Sequence, residues 1–159
     1  MRLYTFTISH FSEKVRWALD YEGIAYVEEP LLPGAHLPVI RRRAPKSTVP
    51  LLDDDGRFVQ GSAAILEHVH HTRGLPRLMP MTEEETDLEA RADIAFGLGT
   101  QRIFYSYLLA MPSVIVDMWA QDAPWWGRAF YRVALPALKP AIRRGYKTDP
   151  ASVERAKDR

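Results

Sequence analysis

The sequence contains no cysteine, which excludes disulfides, a protein thiol as nucleophile, and cysteine-ligated zinc or iron–sulfur centres. No uninterrupted apolar run approaches the ~20 residues that a membrane-spanning helix needs. A surplus of one charge is also missing. Lys and Arg number 21 against 20 Asp and Glu, a net charge of +1, so no basic footprint for nucleic acid is expected. Arg2, Glu13, Lys14 and Arg16 interrupt the first apolar residues, so the N-terminus does not read as a secretory signal and a cytoplasmic location is expected. Internal repeats and low-complexity tracts are absent.

What is present is enough for a packed core. Apolar residues make up 47% of 159 positions, and 12 prolines with 9 glycines argue for many punctuated elements rather than a coiled coil. Charge is segregated along the chain. Glu83, Glu84, Glu85, Asp87, Glu89 and Asp93 cluster mid-chain, while Arg128, Arg132, Lys139, Arg143, Arg144 and Lys147 lie near the end. Complementary solvated helix faces account for such a pattern.

The first forty residues alternate between strand and helix patterns. Leu3–Ile8 reads as a strand that turns at Ser9 into a helix, with Phe11, Val15, Ala18 and Leu19 on one face. Ser9 and Ser12 both offer caps for that helix. A strand feeding a helix start gathers free N–H groups, a partial positive charge and a hydroxyl at one spot, so the same residues suit an anion. Gly23 marks the helix end, and residues 24–29 read as a second, parallel strand closed by Pro30. A short helix over 36–43 carries Arg41, Arg42 and Arg43.

From Thr48 the chain reads as a hairpin followed by helices. Residues 48–52 and 57–60 pair across the Asp54-Asp55-Gly56 turn. Ser62 is the expected cap of a helix striped by Ile65, Leu66 and Val69. His68, His70 and His71 crowd its end without a matching carboxylate or cysteine, and no metal site is expected. A proline-bearing linker spans residues 72–81. Thr82 to Glu85 has capping-box spacing and opens a helix to about Ala110, with Ala92, Ala95 and Gly99 on one face for close approach of a partner helix. Further helices follow over 114–120 and 125–146, the second kinked by Pro136 and Pro140, and Asp149-Pro150 opens a last short one.

Three stretches carry a family resemblance: Ser9-His10-Phe11-Ser12-x-Lys14-Val15-Arg16-x-Ala18-Leu19, Thr48-Val49-Pro50-Leu51-Leu52, and Ser62-x-Ala64-Ile65. In order and spacing the chain resembles the glutathione transferase superfamily. The resemblance implies a thioredoxin-like α/β domain (βαβαββα) over residues 1–74 and an all-helical domain over 82–159. That helical part is shorter than is usual, so the domain is expected to be incomplete. Glutathione is the implied co-substrate, a small electrophile the implied partner, and a cytoplasmic homodimer in detoxification the implied setting.

The same resemblance assigns roles by position. Ser9 matches the catalytic serine, whose hydroxyl donates to the glutathione thiolate rather than attacking. Val49 matches the residue whose backbone pairs with the cysteinyl part of glutathione, and Pro50 the cis proline after it. Ser62 matches the helix start that takes the γ-glutamyl carboxylate. Gly61 stands where the family usually has Glu, Gln or Asp for the glutathione amino group. His10 and His36 border the implied site and, with Arg41 or Lys46, are candidates for a glutathione carboxylate. Two other readings remain: a binding or scaffold protein without turnover, and a peripheral membrane or partner-binding module. The second would use Trp119, Trp125, Trp126, Phe130 and Tyr131 with the adjacent arginines.

Overall fold

A computed structural model describes residues 1–74 and 82–158. The expected linker's residues 75–81 lie outside the described set. The chain divides into two compact units, residues 1–79 and 80–159.

The first unit is a four-stranded mixed sheet clad by helices. Its elements are β1 (Arg2–Thr5), α1 (His10–Glu22), β2 (Val27–Pro30), α2 (Leu37–Arg41), β3 (Leu51–Asp54), β4 (Arg57–Gln60) and α3 (Ser62–Arg73), with strand order β2-β1-β3-β4. β2 runs parallel to β1, while β3 is antiparallel to both β1 and β4. Strand alternation divides the core between the two faces. Leu3 and Leu52 pack with Val15, Leu19, Ile65 and Val69 of α1 and α3. Tyr4 and Leu51 pack on the other side with Ile40 of α2. Each fully buried side chain of this kind is worth about 1.5–3 kcal/mol. The architecture is thioredoxin-like, as expected.

Local rules place most element ends. Gly23 closes α1 in the left-handed region at φ 70, its N–H bonded back to Asp20 and Leu19 carbonyls. Several expected boundaries shift: the strand read over 24–29 is found at Val27–Pro30, with Pro30 inside it, and the short helix read over 36–43 at Leu37–Arg41. The strand read over Leu3–Ile8 ends at Thr5, because the Ser9 N–H turns back onto the Phe6 carbonyl at 3.0 Å. The strand read from Thr48 begins only at Leu51, after a cis Val49–Pro50 peptide, the isomer expected of Pro50.

The second unit is all helical: α4 (Glu83–Ala92), a π-helical stretch (Asp93–Gly99), α5 (Thr100–Leu108), α6 (Pro112–Trp119), α7 (Gly127–Tyr146) and α8 (Pro150–Lys157). Thr82 and Glu85 form the expected capping box. The helix read as one α-helix to Ala110 contains the π-helical stretch instead, which includes the buried and weakly α-forming Gly97 and Gly99. Gly99 meets α8, where a Cβ would sit 3.9 Å from the Ala156 carbonyl. α7 continues through both Pro136 and Pro140. Tyr131 is fully buried against Trp119, and Tyr105 stacks on Tyr146 with ring centroids 4.0 Å apart.

Candidate functional site

Three segments leave the first unit's sheet at one edge. Tyr4 pairs with Leu51, and Leu51 with Gln60. Since β3 runs against both neighbours, the chain after β1, before β3 and after β4 emerges side by side. The Phe6–Ser9 turn, Val49–Pro50 and Gly61–Ser62 are thereby brought to the same edge. The Gly61 N–H donates to the Pro50 carbonyl at 3.0 Å, tying the start of α3 to the cis peptide.

Ser9 is the N-cap of α1, and its Oγ accepts the Ser12 N–H at 3.3 Å. Capping uses a lone pair of the hydroxyl oxygen and not its proton. Ser12, the other cap candidate, supplies that N–H from the third helical position. Its own buried hydroxyl has no hydrogen-bond partner among the described residues. At the second helix start the expectation needs correction. Gly61, not Ser62, is the N-cap of α3, with φ 99 and ψ 145, and no side chain caps the helix. Ser62 is the buried first residue of α3. The leading N–H groups of α3 therefore lack side-chain acceptors, an arrangement suited to a carboxylate.

His36 departs from its expected place as a carboxylate contact. It is buried, and both ring nitrogens serve the backbone: Nδ1 accepts the Gly34 N–H at 3.0 Å, and Nε2 lies 2.9 Å from the Ser47 carbonyl. A backbone N–H can only donate, so Nδ1 carries a lone pair and Nε2 carries the proton given to Ser47. Burial lowers the His36 pKa below its ordinary 6.5. The ring also meets Phe6 edge-on at 4.7 Å, which joins the loop before β3 to the turn after β1. His10 is exposed at the first turn of α1, 4.3 Å from the Phe11 ring. Arg41 and Lys46 are exposed.

The sequence did not mark two further residues that shape this edge. Gln60 Nε2 donates to the Lys46 carbonyl at 2.7 Å and the Thr48 carbonyl at 2.8 Å, while its Oε1 accepts the Lys46 N–H at 3.2 Å. The three bonds hold the backbone just ahead of Val49. Arg16 reaches from α1 to Glu28 at 2.6 Å and to the Thr7 carbonyl at 3.2 Å, and it also pairs with Glu13. It thereby braces the turn that ends in Ser9. Arg16 lies within the first motif, but spacing alone did not indicate a role.

The histidine cluster also changes. His68 does have a carboxylate, Asp54 Oδ2 at 2.9 Å, and Arg73 meets Asp54 Oδ1 at 3.0 Å. The His68 bond and then Arg73 hold the Asp54 carboxyl below its ordinary pKa. Asp54 ends β3, opposite the edge that carries Pro50. Among the described residues no group of three or more His, Cys, Asp or Glu could hold a metal ion.

Taken together, a thioredoxin-like sheet carries two helix starts and a cis proline at one edge. Residues 3–77 match the family of the glutathione S-transferase N-terminal domain. The match spans the first unit, which is therefore a domain of the glutathione S-transferase N-terminal type. No curated protein matches the chain. Among solved structures, it is similar to a glutathione S-transferase of Methylobacterium radiotolerans crystallised with glutathione sulfonate, at 19% identity and TM-score 0.58, covering 90% of this chain and 65% of that one. A maleylacetoacetate isomerase of Anaeromyxobacter dehalogenans with bound glutathione matches at 24% identity and TM-score 0.47, covering 90% and 66%. A possible glutathione S-transferase of Rhodopseudomonas palustris matches at 20% identity and TM-score 0.44, covering 98% and 92%. The chain thus spans just under two thirds of the first two structures.

Proposed function

We propose that the chain binds glutathione at the Ser9, Val49 and Ser62 edge and activates its thiol for attack on a small electrophile. The observation that carries the reading is the junction of Pro50 with Gly61, which sets a side-chain-uncapped helix start beside the backbone of Val49. Val49 would pair its N–H and C=O with the cysteinyl backbone. The N–H groups and hydroxyl at Ser62 would take the γ-glutamyl carboxylate. Bound glutathione supplies the nucleophilic sulfur, its thiol proton passing to solvent. Ser9 would donate a hydrogen bond from its hydroxyl to the thiolate, with the positive end of α1 adding to that preference. A serine here suits conjugation or addition. With no cysteine, thiol–disulfide exchange through the protein's own residues is excluded.

A second reading, binding without turnover, is favoured by Gly61. It offers no side chain to the glutathione amino group, and the neighbouring Gln60 amide is committed to Lys46 and Thr48. A cytoplasmic homodimer belongs to the same family-based proposal and is tested by sedimentation and fractionation. Calorimetry with glutathione, followed by a chromogenic electrophile assay, separates the two main readings. Binding with turnover supports the enzyme, binding alone supports the second reading, and failure of both ends the proposal.

A further inference from the structure

Acceptors at the Pro50 edge are already engaged, while donors and cations are left over. The Lys46 and Thr48 carbonyls accept the Gln60 amide, and the Ser47 carbonyl accepts His36 Nε2. The Pro50 carbonyl takes the Gly61 N–H, and the Gly61 carbonyl takes the Ile65 N–H. Across the edge, the Phe6 carbonyl accepts the Ser9 N–H and the Thr7 carbonyl accepts Arg16. The carboxylates on this side, Glu13 and Glu28, both meet Arg16. Gly61 adds no side chain. On the donor side, no side chain caps α3, so its leading N–H groups lack such acceptors. From Pro30 to Leu52, the stretch that ends in the cis peptide, there is no acidic residue but there are Arg41, Arg42, Arg43 and Lys46. Arg43 lies over the Tyr4 ring and donates to the Val39 carbonyl. Arg41, Arg42 and Lys46 are exposed.

We propose that the thiol this edge prefers is an acyl-cysteinyl thiol whose acyl arm ends in a carboxylate with no ammonium beside it, so that deaminated glutathione fits better than glutathione. The proposal rests on the thiol-binding reading above and names the class of co-substrate. Glutathione brings carboxylates at both ends, a thiol, and an ammonium beside the γ-glutamyl carboxylate. The carboxylates suit an edge of free N–H groups and unpaired positive charge. The ammonium does not. It needs acceptors, and the carbonyls and carboxylates nearest Gly61 already hold other donors. It would also stand beside the positive end of α3 and the cationic stretch 41–46, where its own charge is unfavourable. Removing it deletes that repulsion and leaves the thiol, the cysteinyl backbone and both carboxylates in place.

The test is calorimetry of the full chain with glutathione and with glutaryl-cysteinylglycine, which is glutathione without its amino group. The deaminated thiol is expected to bind about three-fold or more tighter, with the gap narrowing as salt rises. Arg41→Gln with Lys46→Gln, both at exposed positions, should shrink the preference. Gly61→Glu should reverse it, because the new carboxylate attracts the ammonium and repels the carboxylate. Each ratio compares two ligands on one protein, so strain in a variant cancels, and circular dichroism checks that each variant is folded. Equal or weaker binding of the deaminated thiol to the wild type overturns the proposal while the thiol-binding reading stands. A preference that Gly61→Glu leaves unchanged does the same, since the ammonium would then not lie beside residue 61. If neither thiol binds, both readings fall.

Discussion

Ser9 has two tasks that one substitution removes together and a second can separate. Its oxygen caps α1 and its hydroxyl is proposed to donate a hydrogen bond to the glutathione thiolate. At 3.3 Å the cap bond is long, so its loss in Ser9→Ala should fall at the low end of the usual 0.5–2 kcal/mol. In a chain of this size that lowers Tm by about 2–4 °C per kcal/mol. The thiolate term is larger. A free thiol titrates near ~8.5, and holding it two units lower requires about 2.7 kcal/mol of preference for the anion. One lost donor should therefore slow conjugation roughly ten- to a thousand-fold, and the bound thiol pKa should rise toward its free value. Ser9→Asp keeps a capping oxygen but has no proton to give at neutral pH. It should restore the Tm and leave the rate low. Thermal melts, a chromogenic electrophile assay and thiolate absorbance against pH read the three quantities. If Ser9→Ala lowers Tm while rate and thiol pKa hold, Ser9 is a cap alone and its assigned chemistry is refuted.

His36 should make the loop ahead of Pro50 acid-sensitive. Its folded pKa is lowered, so its share of stability is complete above the ordinary 6.5 and fades as pH falls from there toward the folded value. The protection of the Gly34 amide against exchange, taken relative to its intrinsic rate at each pH, should fall over that window, and protection unchanged across it would contradict the assigned tautomer. Gly61→Glu would place a carboxylate where the family has one, with open space for the Cβ but φ at 99. Strain should lower stability by about 1–3 kcal/mol. Glutathione affinity should still rise about ten-fold or more, since calorimetry compares strained free and bound forms alike. An unchanged Tm would show that the turn relaxes. Asp54→Ala would leave buried His68 without its partner and should cost about 1–3 kcal/mol in urea unfolding. Asp54 titrates below its ordinary 3.8, so its contribution is complete above that value and fades as pH falls from there through the lower folded value; Asp54→Asn should flatten this part of the acid-stability curve.

The legible parts of the fold rest on rules acting within a few residues. Gly23 at the end of α1, the turn at 54–56 and the Thr82–Glu85 box each have a local cause, and each is found. Strand ends were less legible. Phe6 to Ile8 look as strand-like as Leu3 to Thr5, and only the Ser9 N–H turning onto Phe6 separates them. Thr48 and Val49 have strand composition too. Yet the Thr48 carbonyl is taken by the Gln60 amide, which stands 12 residues away in sequence. The π-helical stretch in the second unit preserves helical periodicity closely enough to read as α.

The candidate site divides in the same way. Ser9, Val49, Pro50 and Ser62 sit inside short motifs, so their convergence could be expected before any strand was paired. The residues that brace them could not be read, because their bonds cross loops. His36 grips residues 34 and 47, Gln60 grips 46 and 48, and Arg16 joins Glu28 to Thr7. Such side-chain-to-backbone bonds impose no spacing on the sequence. A histidine bordering an expected anion site therefore reads as a ligand contact even when both its nitrogens are used in holding the loop. Gly61 shows the converse. Its lack of a side chain reads as a missing ligand contact, whereas at φ 99 and ψ 145 the backbone conformation itself favours glycine. One position thus serves the turn that joins α3 to Pro50 at the expense of a contact to the amino group. That trade predicts weak glutathione binding on a correctly shaped edge, rather than an edge that has lost its shape.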